Sequence, residues 1–234
     1  MDEILDLLDE INAKFSELQD AVNDVLGRVP GWASWVADRI HEAWDYMCGK
    51  AQEFWAWITN IVSNMGDPGN LSRTASAWNT SVGGPVSAQV QAADAGNLAV
   101  DDTWSGTAAD NYRQRIGLHK SALDKIKSSM TDGLSSALDS VKTAVYVFWG
   151  AVAAALTTLV AGIITAIGST ATVFGAPAGP FIAAGAIVIC LTSLTVGGTI
   201  LKSTCTSARN TLEQKVINEN TGFLGGHWPA GALS

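Results

Sequence analysis

Residues 143–201 read TAVYVFWGAVAAALTTLVAGIITAIGSTATVFGAPAGPFIAAGAIVICLTSLTVGGTIL, 59 residues without one Asp, Glu, Lys, Arg or His, bracketed by Lys142 and Lys202. A stretch with nothing charged to hold toward water belongs in a bilayer or inside protein. Pro177 and Pro180 divide it into two apolar runs, 144–168 and 181–201, whose terminal residues are Ala144 and Gly168 in the first and Phe181 and Leu201 in the second. Each run reaches the roughly 20 helical residues that a hydrocarbon core requires. Two spans joined by a short turn form a hairpin. Both ends then emerge on one side, where Lys142, Lys202, Arg209 and Lys215 lie near headgroups, the cytoplasmic side under ordinary insertion rules.

The runs are unusually rich in small residues. Gly150 with Ala154, Ala151 with Ala155 and Gly162 with Ala166 recur at four-residue spacing, which lets a neighbouring helix approach closely, within the hairpin or between chains. The polar side chains that a channel would need are confined to hydroxyls such as Thr157, Thr158, Thr165, Thr192, Ser193 and Thr195, so any pore would be narrow or weakly selective. Two accounts stay open: a hairpin that enters a membrane, permanently or on a trigger, and a hydrophobic hairpin enclosed by a soluble helical domain.

Charge is segregated. Residues 1–65 carry 12 acidic and 4 basic side chains, whereas the rest of the chain carries 10 of each. The whole net charge of −8 therefore sits in the N-terminal quarter. That balance argues against nucleic acid and against anionic lipid as direct partners, because phosphate recognition needs clustered cations. The run Met1-Asp2-Glu3-Ile4-Leu5-Asp6 has no basic n-region, so the expectation is no cleavable signal peptide. Cys48, Cys190 and Cys205 show no paired C-x-x-C spacing and read as reduced, inert thiols rather than metal ligands.

Within the acidic segment, Ile4, Leu8, Ile11, Phe15, Leu18, Val22, Val25 and Val29 follow one another at alternating spacings of four and three. This heptad pattern predicts an amphipathic helix with a narrow seam through Leu8, Phe15 and Val22. Pro30-Gly31 breaks it, and a second periodic run from Val36 to Met65 ends at Gly66-Asp67-Pro68-Gly69. The two form a helical hairpin, or a seam between chains. Trp32, Trp35, Trp44, Trp55 and Trp57 supply more aromatic surface than one seam buries, so some are expected outward, against a membrane interface, the other helices of a bundle or an identical subunit.

Further along, Asp101-Asp102-Thr103-Trp104-Ser105-Gly106-Thr107-Ala108-Ala109-Asp110-Asn111-Tyr112 combines a Trp-x-Gly turn, a small pair opening the next helix and an aromatic one turn on. Gly106 permits a tight interhelical turn, and Trp104 can fold over the helix ends. From Tyr112 to Phe148 a mostly four-three spacing continues, predicting one helix from the turn into the first apolar run. Over residues 70–142 this pattern resembles the WXG family of type VII secretion substrates, helical hairpins exported without a cleaved signal peptide. Trp104 and Gly106 match the namesake positions, and Ala108, Ala109 and Tyr112 the small and aromatic positions after them. The family's export signal, a tyrosine followed four residues later by an acid, is not found: Tyr46, Tyr112 and Tyr146 are followed by Lys50, Ile116 and Gly150. The resemblance implies a secreted or cell-surface destination and a type VII partner or chaperone.

No catalytic, cofactor-binding or metal-binding residues are identified. His41, His119 and His227 are scattered, and Gly225-Gly226 precedes His227-Trp228-Pro229 rather than a helix, unlike a phosphate loop. Arg113, Arg115, Lys120, Lys125 and Lys127 form a modest cationic run suited to acidic helices or headgroups. The expected architecture is all-α: an acidic helical hairpin at 1–65, a W-x-G helix-turn-helix at 70–142, an apolar hairpin at 143–201, and a short helix and tail at 202–234. The expected function is a self-assembling, membrane-active protein associated with type VII secretion that performs no chemistry. The alternative is a resident two-span scaffold binding a partner through its heptad helices.

Overall fold

The computed structural model describes residues 2–64, 66–97, 103–218 and 227–229. Met65, the Asp101-Asp102 pair before the W-x-G turn, Gly225-Gly226 and most of the expected tail lie outside the described residues. The helices are α1 (Asp2–Leu26), α2 (Ser34–Asn64), α3 (Pro68–Trp78), α4 (Gly84–Ala92), α5 (Thr107–Lys125), α6 (Asp132–Ser169) and α7 (Ala178–Asn218). Wide π-turns at Asn79–Gly83 and Ile126–Thr131 join α3 to α4 and α5 to α6. The chain is all-α, with no strand among the described residues.

Two compact units are formed, Met1–Gly66 with Tyr146–Ile200 and Asp67–Val145 with Leu201–Ser234. The four segments read from the sequence thus combine crosswise, the acidic hairpin with the apolar one and the W-x-G hairpin with the C-terminal helix.

In the first unit, α1 starts with Asp2 and Glu3, whose carboxylates suit the positive end of the helix dipole. It buries Ile4, Leu8, Ile11, Leu18, Val22 and Val25. Phe15 is only half-buried, so the tight points of the seam are Ile11, Leu18 and Val25. Beyond Leu26, Pro30 prevents the helix from continuing, and α2 buries Val36, Ile40, Ala43, Met47, Phe54 and Ile58. The outward faces carry exposed ion pairs at three-residue spacing, Lys14–Glu17, Arg39–Glu42 and Lys50–Glu53, which add little because water screens them.

The apolar runs are helical throughout and join as an antiparallel hairpin. Phe148 packs beside Gly197, Gly162 faces Ala186, and Gly179 lies against Thr170 and the Ala166 carbonyl. At Gly162 and Gly179 the approach is so close that an added methyl would overlap its neighbour, so glycine sets the helix separation there. In the connecting turn the Gly175 and Ala176 N–H groups bond back to the Thr172 carbonyl at 3.1 and 2.8 Å. Pro177 precedes α7 and Pro180 occupies its first turn, where a missing N–H costs nothing.

The second unit is built on another antiparallel pairing. The Ser135 hydroxyl donates to Asn79 Oδ1 at 2.7 Å, Gly83 packs on Thr131, and Lys120 Nζ lies 2.5 Å from Asp94 Oδ2. The two π-turns therefore face each other across the hairpin. Asp67 caps α3 by accepting from the Gly69 N–H at 2.7 Å, with Pro68 at the first helical position. The Lys215 side chain of α7 packs on Gly133.

Candidate membrane-insertion surface

Composition alone does not orient α6, since nearly every residue from 144 to 168 is apolar. Burial does. Val152, Leu156, Leu159, Ile163 and Ala166 face inward with almost no exposure, while Val147, Ala151, Ala154, Ala161 and Ile164 face outward. Along α7, Ala183, Ala184, Ile187, Cys190 and Leu194 are buried, and Val188, Ile189, Val196 and Ile200 are exposed. Exposure reaches 64% at Val147, 59% at Ile189 and 67% at Phe174 in the connecting turn. Both helices are long and apolar enough to cross a membrane, and only 39% and 28% of their most apolar windows are buried. A core helix of a soluble domain would bury most of such a window, and contiguous exposed apolar surface of this kind is characteristic of interaction surfaces.

The polar groups on the exposed face are spoken for. The hydroxyls of Thr157, Thr158 and Thr165 donate to the carbonyls of Ala153, Ala154 and Ala161, each at 2.9 Å. On α7, Thr192, Ser193, Thr195 and Thr199 donate to Val188, Ile189, Leu191 and Thr195 at 2.8–2.9 Å. Bonded one turn back, each hydroxyl leaves its donor satisfied and shows a methyl or methylene outward. Such a face meets the requirement of hydrocarbon, which offers a stranded donor nothing.

Small residues divide by face. Gly162 and Ala166 serve the contact between α6 and α7, whereas Gly150, Gly168 and Gly185 have no neighbouring atom where a side chain would project. Ala154 is exposed and Ala155 buried, so the stripes at four-residue spacing split between inward and outward packing.

Among the α2 aromatics and the turn before it, Trp32 and Trp35 are exposed, and Trp44, Trp55 and Trp57 are half-buried. The Tyr46 ring lies 6.3 Å from that of Phe181, placing α2 directly against the start of α7.

In the second unit, Gly106 adopts φ 101° and ψ 177°, the one positive φ among the described residues. This backbone region is essentially closed to residues with a Cβ. Trp104 is 43% exposed; its ring sits 5.6 Å from Tyr112, and its carbonyl accepts from Arg113 at 3.2 Å. The tryptophan therefore clamps the turn from outside rather than filling a core. Ala109, in the small pair after the turn, is fully buried. Three cations of the 113–127 run are paired with carboxylates: Arg113 with Asp110, Lys120 with the more distant Asp94 and Lys127 with Asp132.

His119 lies 5.7 Å from the Trp228 ring. Among the described residues no group of three or more His, Cys, Asp or Glu is placed to hold a metal. All three cysteines are free, and burial together with the nearby Asp45 carboxylate pushes the Cys48 thiol above its ordinary range. Thiolate chemistry at Cys48 is thereby disfavoured.

No protein-family model, no curated protein and no solved structure matches this chain.

Proposed function

We propose that this chain is a self-assembling, membrane-active helical protein associated with type VII secretion, and that it holds to a bilayer by inserting the α6–α7 hairpin, without catalysing a reaction. The observation that carries the membrane reading is the outward face of the hairpin, long enough to span, largely uncovered and free of unsatisfied donors. Plain anchoring fits better than a channel, since hydroxyls turned back onto their own helices do not line a wet path. Self-assembly is supported by Gly150, Ala154, Gly168 and Gly185, which leave room on the exposed face for a second helix. The type VII association rests on the W-x-G turn with its glycine-only backbone at Gly106 and implies a type VII partner or chaperone. Export to the cell surface follows from that association alone.

Flotation with phosphatidylcholine vesicles tests the membrane reading. Wild-type protein should rise with the lipid. Thr158→Arg and Ile189→Arg, near the span centres and exposed, leave the packed core untouched yet place a cation at about 2.5–3.5 kcal/mol of insertion cost each. Both should float far less. Wild-type protein that stays soluble without detergent and never floats rejects the reading.

A further inference from the structure

Within the first unit, the apolar hairpin and the acidic helices share one compact body, and each contributes fully buried residues. Leu156, Leu159 and Ile163 of α6 and Ile187 of α7 are completely inaccessible, as are Ile11, Leu18, Ile40 and Phe54 of α1 and α2. Two helices packed alone seal only the line between them. The buried face of α6 is broader than a line, with Val152, Ala155, Leu156, Leu159 and Val160 all enclosed, so it needs further helices over it. The contact between Tyr46 and Phe181 identifies them.

The outer faces of those same helices forbid hydrocarbon. Acidic side chains recur from Asp2 to Glu53, through Asp9, Glu17, Asp24, Asp38 and Glu42, all exposed. At roughly 1.5 Å per residue, the 25 residues of α1 and 31 of α2 extend further than a hydrocarbon core about 30 Å thick. Carboxylates are spread along nearly the whole of that length. With helices of that length packed on the inward face of the hairpin, taking the hairpin across a bilayer would take several of these carboxylates into it.

From this we infer that α1 and α2 form a built-in shield over the α6–α7 hairpin, and that insertion requires the shield to leave. The inference rests on the membrane reading above and adds its regulation: the packed unit is the closed state, and the spanning hairpin is a second state that excludes it. Bilayer and acidic helices compete for the same inward face of Leu156, Leu159, Ile163 and Ile187. Because the shield is the acidic part of the chain, zwitterionic lipid should accept the opened protein more readily than anionic lipid, which repels the segment set free beside it.

A cleavable tether tests the inference in the full chain. With Cys48, Cys190 and Cys205 changed to Ser, Tyr46→Cys and Phe181→Cys place two half-exposed thiols where a short disulfide-containing bismaleimide can bridge them. The bridged protein should lose flotation with phosphatidylcholine vesicles and lose protease protection of the hairpin. Reduction of the bridge should restore both in the same sample. Bridged protein that inserts as well as unbridged protein overturns the shield while leaving the membrane reading intact; unbridged protein that never floats removes the membrane reading and the shield with it. A second measurement needs no bridge. In a chain whose sole thiol is Met47→Cys, buried in the α2 seam, the rate of labelling by a polar maleimide should rise severalfold when vesicles are added. An unchanged rate on protein that does float overturns the shield.

Discussion

Gly150 and Gly162 lie in the same helix, and both relieve its intrinsic propensity when changed to alanine, yet their surroundings are opposite. Nothing lies within 4 Å of a Cβ built on Gly150, whereas a Cβ on Gly162 overlaps Cβ of Ala186 and lies 3.8 Å from its Cα. Alanine has no flexible end to swing away, so α7 itself must shift. Gly150→Ala should therefore stabilise the first unit by about 0.5–1 kcal/mol through lost unfolded-state freedom. Gly162→Ala gains the same but incurs an overpacking cost of about 1–3 kcal/mol. The overpacking term is the difference between the variants. At about 2–4 °C per kcal/mol for a chain of this size, their melting temperatures should be separated by roughly 2–12 °C, with Gly162→Ala the lower. Thermal unfolding followed by far-ultraviolet circular dichroism measures it. Equal shifts of the same sign would refute the close approach of α6 and α7 at Gly162, and with it the antiparallel pairing on which the inward and outward faces are assigned.

At the W-x-G turn, Gly106→Ala should cost about 1–3 kcal/mol because of its backbone region, and Trp104→Ala should stay below the roughly 3–5 kcal/mol of a fully enclosed aromatic. A denaturant midpoint indifferent to Gly106→Ala would remove the turn from the structural account. In the acidic hairpin, Leu18→Asp puts a charge where there is no exposure, and helicity should fall sharply, while Asp20→Asn on the exposed face should leave it unchanged. Equal responses would mean that the seam is not a packing surface. The Asp94–Lys120 pair predicts a pH window. Hydrogen bonds from Lys120 and the Gly96 N–H hold the Asp94 carboxyl below its usual value of 3.8, and Asp94 holds the Lys120 ammonium above 10.5. The stability from Asp94 is thus present above 3.8 and lost as pH falls through its depressed folded value; that from Lys120 is present below 10.5 and lost as pH rises through its raised one. The difference in melting temperature between wild type and Asp94→Asn should be level across neutral pH and shrink at both extremes, and a difference that grows on acidification contradicts the pairing.

The closed first unit also bears on the choice between a membrane-active protein and a resident two-span scaffold. A permanently inserted hairpin would have no use for sharing a compact unit with acidic helices, as it does through the Tyr46–Phe181 contact. The scaffold reading asks those helices to stand in water with their seam turned to a partner. The membrane-active reading asks them only to be displaced, which the tethered protein tests directly.

Local rules sufficed for much of this molecule. A 59-residue run without charge, broken by two prolines, determines a helical hairpin by itself, because length, hydropathy and proline's missing N–H act within the segment. The four-three spacing of residues 4–25 likewise determines an amphipathic helix, and Trp-x-Gly before a small pair determines a turn. Three things waited for the tertiary structure. The acidic and apolar hairpins share one unit although 79 residues, 67–145, separate their boundaries at Gly66 and Tyr146, and no local pattern encodes that partnership. Phe15 is half-buried where Leu18 is sealed, because neighbours from other helices, not the heptad alone, decide depth. Finally, Gly162 faces Ala186 while Gly150 faces nothing, and Leu159 is hidden while Ile164 is bare. Where a helix is apolar on every side its periodicity carries no direction, and only the helices packed against it determine which face is left exposed.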